Sequence, residues 1–261
     1  MGFIQDKLFI LAHLKAIFEN EQMILMKNKL SIIIPVYNEK NTIKKIIKKV
    51  EDVNLLNCDK EIILVDDFST DGSREALKNL KGNYVKIFQK KNMGKGAALK
   101  AGINAATGNV VVFQDADLEY DPNDFRKLLK PILERKTDVA FGSRFEKEDP
   151  KAWKEKTPMH PMHWIGNKGL NLIFNTLYGT KLTDVEPCYK MFKRSVFDGV
   201  NVKSNRFEYD IELMCKLVKK GHRIVQMPIN YHPRKFEEGK KINWKDGLIA
   251  GWVMVKFRFM D

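Results

Sequence analysis

Asp115 and Asp117, with one small residue between them, follow the apolar run 110–113 and Gln114. The side-chain period of extended chain is two, so both carboxylates project to one side of a strand end and can share a hard cation. Mg²⁺ and Mn²⁺ take oxygen ligands and commonly bridge a protein carboxylate to substrate phosphates. The pair therefore points to metal-assisted chemistry on a phosphorylated ligand. Capping of the next helix falls to another residue. Asp121 before Pro122 forms an N-cap and first-turn proline, opening a helix with Phe125, Leu128, Leu129 and Ile132 on one face.

The elements that must position this pair are legible as an alternation. Strands are expected at 30–36, 61–66, 84–88 and 110–114, separated by helices near 40–52, 72–80 and 95–106. Such alternation argues for βαβ crossovers and a mostly parallel sheet that binds ligands at the carboxyl ends of its strands. Polar residues stand at those ends: Tyr37, Asn38 and Glu39 after the first, Asp66 and Asp67 after the second, Asp115 and Asp117 after the fourth. A further strand near 138–142 leads into a polar, proline-bearing loop over 143–160. Beyond it come a helix near 164–178, extended chain at 182–193, a helix near 207–220 and a strand near 223–228. This second half reads as a substrate-binding extension built on the same sheet.

Composition narrows the partners. The chain has 261 residues, 44% apolar and 30% charged, with a net charge of +13. That balance invites nucleic acid, phosphorylated small molecules or an acidic membrane surface. Many of the lysines, such as Lys44, Lys45, Lys48 and Lys49, interleave with Ile43, Ile46, Ile47 and Val50 as the solvated face of a helix. Carboxylates at the strand ends would repel nucleic-acid phosphate, so nucleic acid is not the expected partner. The uncharged run 247–255 is far shorter than the roughly 20 residues of a membrane-spanning helix. Cys58, Cys188 and Cys215 are scattered without metal-site spacing, which suits a reducing, cytoplasmic setting. Residues 1–29 read as an apolar helical extension without a signal-peptide or myristoylation pattern, and 241–261 as a C-terminal amphipathic helix. In the latter, Trp244, Leu248, Ile249, Trp252, Val255 and Phe259 form a stripe suited to the cytoplasmic face of a membrane or to the protein core.

Three further segments carry chemistry. Tyr37 offers a flat ring for a nucleobase, while Glu39, Asp67 and Asp71 offer acceptors for base N–H groups and ribose hydroxyls. Gly94-Lys95-Gly96 opens a helix whose free N–H groups favour phosphate, with Lys95 adding charge. Two rival phosphate motifs fail. Position 99 is Leu where a dinucleotide-binding glycine motif needs Gly, and Gly96 follows Lys95 where a P-loop needs Ser or Thr.

The order and spacing of Ile32–Glu39, Val65–Gly72, Asn92–Ala98 and Asp115-Ala116-Asp117 resemble the nucleotide-sugar-binding half of family-two glycosyltransferases of the GT-A fold. The resemblance extends through Gly142-Ser143-Arg144, Thr183–Lys190, Phe207-Glu208 and Arg234–Lys241. It covers about residues 30–247 and comes nearest to the dolichol- and polyprenyl-phosphate hexosyl synthases. It implies an α/β, Rossmann-like domain over about 30–240, a mostly parallel sheet flanked by helices with a C-terminal acceptor-site extension. It also implies an inverting, Mg²⁺- or Mn²⁺-dependent transfer of hexose from a nucleotide sugar of GDP-mannose or UDP-glucose type. Pro35, Tyr37, Asn38, Glu39, Asp66, Asp67, Ser69, Asp71, Lys95, Gly96 and Ala116 would then line the donor site. Glu119, two residues past Asp117, falls where relatives place another metal-facing side chain. Arg144, Arg234, Lys240 and Lys241 would hold diphosphate and acceptor phosphate.

The acceptor decides whether a base is needed. A phosphate monoester has a second pKa of about 6 and is an anionic nucleophile near neutral pH. A sugar or lipid hydroxyl would need a general base within hydrogen-bond reach. Glu186 and Asp184 are the candidates.

Overall fold

The computed structural model describes residues 28–55, 58–145, 161–234 and 244–260. Seven strands form one sheet in the order β3-β2-β1-β4-β6-β5-β7. β1 (Asn28–Val36), β2 (Cys58–Asp66), β3 (Tyr84–Phe88) and β4 (Val110–Phe113) are mutually parallel. β5 (Val139–Ser143) and β7 (Ile224–Pro228) pair in parallel, and β6 (Lys190–Lys193) lies antiparallel between β4 and β5. The expected mostly parallel α/β architecture is thus present. The antiparallel insertion of β6, within chain read only as extended, was not foreseen.

β1 shows why the sheet takes two layers of helices. Ile32 and Ile34 face one core, and Ile33 between them faces the other; all three are fully buried. The first core is closed by α1 (Ile43–Asp52), α2 (Ser73–Lys78) and α4 (Phe125–Leu133), the second by α3 (Lys95–Ala105), α5 (Pro161–Tyr178), α6 (Glu208–Lys219) and α7 (Trp244–Phe259). In α1 the apolar spacing places Ile43, Ile46, Ile47 and Val50 inward and turns the lysines outward, as the sequence requires. Asp121 caps as expected by accepting from the Asn123 N–H, but a short 3₁₀ turn, Pro122–Asp124, precedes α4.

Two boundaries are refined. β1 begins at Asn28, so residues 28 and 29 belong to the sheet rather than to the N-terminal extension. α7 buries Ala250, Val253, Met254 and Phe257 in the second core, so this helix is integral to the domain packing. No helix among the described residues is long and apolar enough to cross a membrane.

Candidate active site

The strand ends around β1 form one crevice, and its turns are stitched together by side chains. The Asn38 N–H donates to Ser69 Oγ (3.0 Å), while Asn38 Oδ1 accepts from the Thr70 N–H (2.9 Å). The Glu39 N–H donates to Ser73 Oγ (2.8 Å). Asn38, Phe68 and Leu118 all carry positive φ, at +55°, +65° and +67°. Each such conformation costs of order 1–3 kcal/mol and persists only where surrounding structure enforces it. Three of the four non-glycine residues in that state among the described residues therefore sit at this rim.

The donor-side carboxylates are engaged in this frame. Asp66 is fully buried, accepts from the Ser69 N–H (3.2 Å) and lies 3.1 Å from the Arg74 guanidinium. Asp67 accepts from the N–H groups of Met93 (2.7 Å) and Gly94 (2.8 Å), tying the end of β2 to the start of α3. Asp71 takes the Ser73 N–H and Oγ on one oxygen and the Lys40 N–H on the other. Burial opposes ionisation of Asp71, but the bonds from Ser73 and Lys40 outweigh it and hold the carboxyl below its usual range. Of the expected base and ribose acceptors, Asp67 and Asp71 thus accept from backbone N–H groups, while Glu39 pairs with Arg234; Asp66, expected along the donor site, pairs with Arg74. Tyr37 stays exposed at the rim and Pro35 is half-buried, whereas Ala116 and Gly96 are buried.

The two aspartates differ. Asp115 Oδ1 lies 2.7 Å from Lys95 Nζ. Burial pushes this carboxyl up, but Lys95 and a hydrogen bond from the Cys188 thiol overcome it and hold Asp115 below its usual range. Burial, then repulsion from Asp115 and Glu119, pushes Asp117 up to about 7. Its carboxylate accepts from the Glu119 N–H (3.1 Å), while its carbonyl accepts from Arg234 Nε (2.8 Å). Two hard-oxygen donors that repel each other in a buried crevice fit a divalent cation, which would relieve that repulsion and complete its shell with phosphate and water. Among the described residues no three His, Cys, Asp or Glu side chains converge with metal-ligand spacing. Glu119 explains this in part, since its Oε1 accepts from the Arg234 N–H at 2.8 Å.

Arg234 closes the crevice from the far side. Its guanidinium contacts both oxygens of Glu39 (3.3 and 2.9 Å), so one side chain spans the end of β1 and the loop after β4. Arg144, also expected at phosphate, is held by Asp184 through Nε (2.7 Å) and a second nitrogen (2.8 Å), and it donates to Asn167 of α5 (3.1 Å). Asp184 is fully buried and also accepts from the Arg144 N–H (3.0 Å). It is consumed as a counter-ion and does not fit the role of base. At Glu186 burial outweighs Arg144 and Lys190 and pushes the carboxyl up to about 7. Lys240 and Lys241, like most of the loop expected over 143–160, lie outside the described residues.

Sequence reasoning missed Lys190 and Asp210. Lys190 is 1% exposed, and its ammonium meets Asp210 at 3.0 Å. Asp210 also lies 4.0 Å from Lys95. The available signal was a lysine opening an apolar strand segment, because lysine is almost never fully buried unless paired. Its partner, on α6, cannot be read from local spacing.

The carboxyl ends of the parallel strands thus bring paired carboxylates and side-chain cations together. Residues 31–200 match glycosyl transferase family 2, and the chain belongs to that family. It is 30% identical over 218 residues to the undecaprenyl-phosphate 4-deoxy-4-formamido-L-arabinose transferase of Proteus mirabilis, covering 82% of this chain and 63% of that protein. It is 29% identical over 217 residues to the dolichol-phosphate mannosyltransferase of Pyrococcus furiosus, covering 81% of this chain and 59% of that one. The chain thus spans less than two-thirds of the length of either relative. Among solved structures it resembles glucosyl-3-phosphoglycerate synthase from Mycobacterium tuberculosis in complex with UDP. The TM-score is 0.67 at 17% identity, covering 88% of this chain and 80% of that one, a likeness of fold. The same synthase has been solved with Mn²⁺, UDP and phosphoglyceric acid. The chain is a family-two glycosyltransferase with a GT-A-like fold.

Proposed function

We propose that the protein transfers a hexose from a nucleotide sugar to a polyprenyl phosphate in a metal-dependent, inverting reaction. The observation that carries this reading is the distribution of charge in the crevice. Carboxylates Asp115 and Asp117 lie close enough to repel each other, and two arginines, Arg144 and Arg234, are held in ion pairs with Asp184 and Glu39, Arg234 also reaching the Asp117 carbonyl. A metal held by Asp115 and Asp117 would stabilise the departing nucleoside diphosphate. With the donor diphosphate neutralised in that way, further arginines are best accounted for by a second phosphate, that of the acceptor. Names of the relatives support the acceptor class, and the solved synthase supports divalent metal use. Lys240 and Lys241 are proposed to join Arg234 at the acceptor phosphate.

A lipid acceptor requires access to a membrane surface. Leu248 (66% exposed), Trp252 (64%) and Phe259 (76%) of α7 recur on its outer side, and Leu172 (69%) of the adjoining α5 is exposed as well. Lys256 and Arg258 flank them, so an anionic lipid surface is the proposed occupant of this face. The neighbouring helix α5 also touches Arg144 through Asn167, which would place the acceptor phosphate beside the lipid face.

A second reading, transfer to a sugar or lipid hydroxyl, is favoured by Glu186, whose pKa of about 7 suits a general base. The deciding experiment is a panel of nucleotide sugars with Mn²⁺, scored for nucleoside diphosphate release with short-chain polyprenyl phosphate and with the matching free polyprenol. Release with the phosphate alone supports the first reading. Equal use of the free alcohol overturns it in favour of the second.

A further inference from the structure

The first side chain of α3 is already doing what a metal ion would do. Lys95 Nζ sits 2.7 Å from Asp115 Oδ1 and 4.0 Å from Asp210 Oδ2, and the other Asp210 oxygen takes Lys190 Nζ at 3.0 Å. Two carboxylates and two ammonium groups therefore alternate as Asp115, Lys95, Asp210 and Lys190, with no net charge. The side chains of Lys95, Asp115 and Asp210 are only 16%, 14% and 16% exposed, so water screens these contacts poorly.

The backbone on either side of Lys95 is closely packed. A Cβ on Gly94 would come within 2.5 Å of the Asn205 carbonyl oxygen, and one on Gly96 within 2.5 Å of Tyr209 Cβ. The Ala97 N–H also donates to the Asn205 carbonyl at 3.0 Å. The start of α3 thereby packs closely against the start of α6, which carries Asp210.

We propose that Lys95 is an internal counter-ion that holds Asp115 until a nucleoside diphosphate draws it off, and that Asp210 is the positioning residue that sets how firmly it is held. The inference rests on the reading of Asp115 as a metal ligand in the proposed function. A divalent cation approaching alone meets an ammonium group against its carboxylate and must break a poorly hydrated ion pair. A diphosphate arriving with the metal offers that ammonium a new anionic partner. Metal and nucleotide then strengthen each other's binding by the same factor, as linkage requires. Asp210 lowers the barrier by keeping a second carboxylate within reach of Lys95.

The test titrates the full chain with Mn²⁺, following free metal by electron paramagnetic resonance, alone and with saturating UDP or GDP. No acceptor or turnover is involved. Wild type should bind Mn²⁺ at least tenfold more tightly with one of the nucleotides than without. Lys95→Gln should bind Mn²⁺ alone at least tenfold more tightly than wild type and lose most of the nucleotide effect. Asp210→Asn should do the opposite, weakening binding of the metal alone and enlarging the nucleotide effect, with Asp210→Glu restoring wild-type behaviour. A general field effect of these charges would change affinity for Mn²⁺ alone without changing that ratio, and an unchanged ratio in both variants overturns the proposal. Failure of Mn²⁺ to bind even with nucleotide overturns it together with the metal reading.

Discussion

The two halves of the sheet treat their charges in opposite ways. On the β1–β2 side, carboxylates are satisfied largely by backbone: Asp67 by the N–H groups of Met93 and Gly94, Asp71 by those of Lys40 and Ser73. On the β5–β7 side, charges are satisfied by other side chains, as in Arg144 with Asp184 and Lys190 with Asp210, while Arg234 reaches across to Glu39. A carboxylate bound to backbone N–H groups fixes loop geometry and does not move without the loop. A side-chain pair can be opened by an incoming anion that replaces one partner. The half proposed to bind the donor is thus a finished frame, and the half proposed to bind the acceptor is a store of cations.

The largest effect should come from breaking a stored pair permanently. Asp184→Asn leaves the Arg144 guanidinium, 8% exposed, without its counter-ion. Loss of one partner of a buried pair costs roughly 3–5 kcal/mol, measurable by urea denaturation. Replacing both, as in Arg144→Met with Asp184→Leu, should recover most of that stability while transfer stays lost. Recovery of transfer in the double variant would remove Arg144 from the acceptor site.

At the seam between the halves, Asp115→Asn and Asp117→Asn should each lower transfer by roughly 10²–10³-fold, the scale of losing one preorganised electrostatic partner. Unfolding midpoints should change little for Asp117→Asn, because repulsion from Asp115 and Glu119 offsets the hydrogen bond from the Glu119 N–H. Retained Mn²⁺-dependent nucleotide binding in both variants would sink the metal assignment.

The same contrast decides what sequence could reveal. The donor half was legible because its turn residues lie within a few positions of the strands they follow, so Asn38, Glu39, Ser69 and Asp71 stand in contiguous motifs. What those carboxylates bind was not legible, since the Asp67 contact to Gly94 spans 27 residues and depends on the parallel pairing of strands. On the acceptor side nearly everything depends on such distances. Arg234 meets Glu39 across 195 residues, and Lys190 meets Asp210 only because β6 turns antiparallel into the sheet. Basic residues could be counted there, but their partners could not.

A smaller effect sharpens the frame half of the contrast. Asp67→Asn removes an ionised acceptor from two backbone donors, and hydrogen bonds to charged groups are worth about 1.5–3 kcal/mol each at most. A loss of about 1–3 kcal/mol is expected, with nucleotide affinity falling because the loop before α3 loosens. Normal stability with weakened binding would instead return Asp67 to direct donor contact.

The smallest effect is the most discriminating. Glu186 is pushed from 4.5 up to about 7 by burial. Below about 4.5 it is protonated in both folded and unfolded chain and contributes no difference. As pH rises toward 7 the unfolded chain ionises it freely while the fold resists, so stability is lost over that window. Glu186→Gln should therefore stabilise the fold relative to wild type by an amount that grows between about pH 4.5 and 7 and then levels off, read from paired thermal melts. Activity separates the two acceptor readings on the same variant. A hydroxyl acceptor needs Glu186 ionised, so wild-type kcat/KM should fall below about pH 7, and Glu186→Gln should lose transfer and that limb together. A phosphate acceptor carries its own second ionisation near 6. In that case Glu186→Gln keeps both the rate and a limb near 6, and the cations of the acceptor half do the work of orientation without a base.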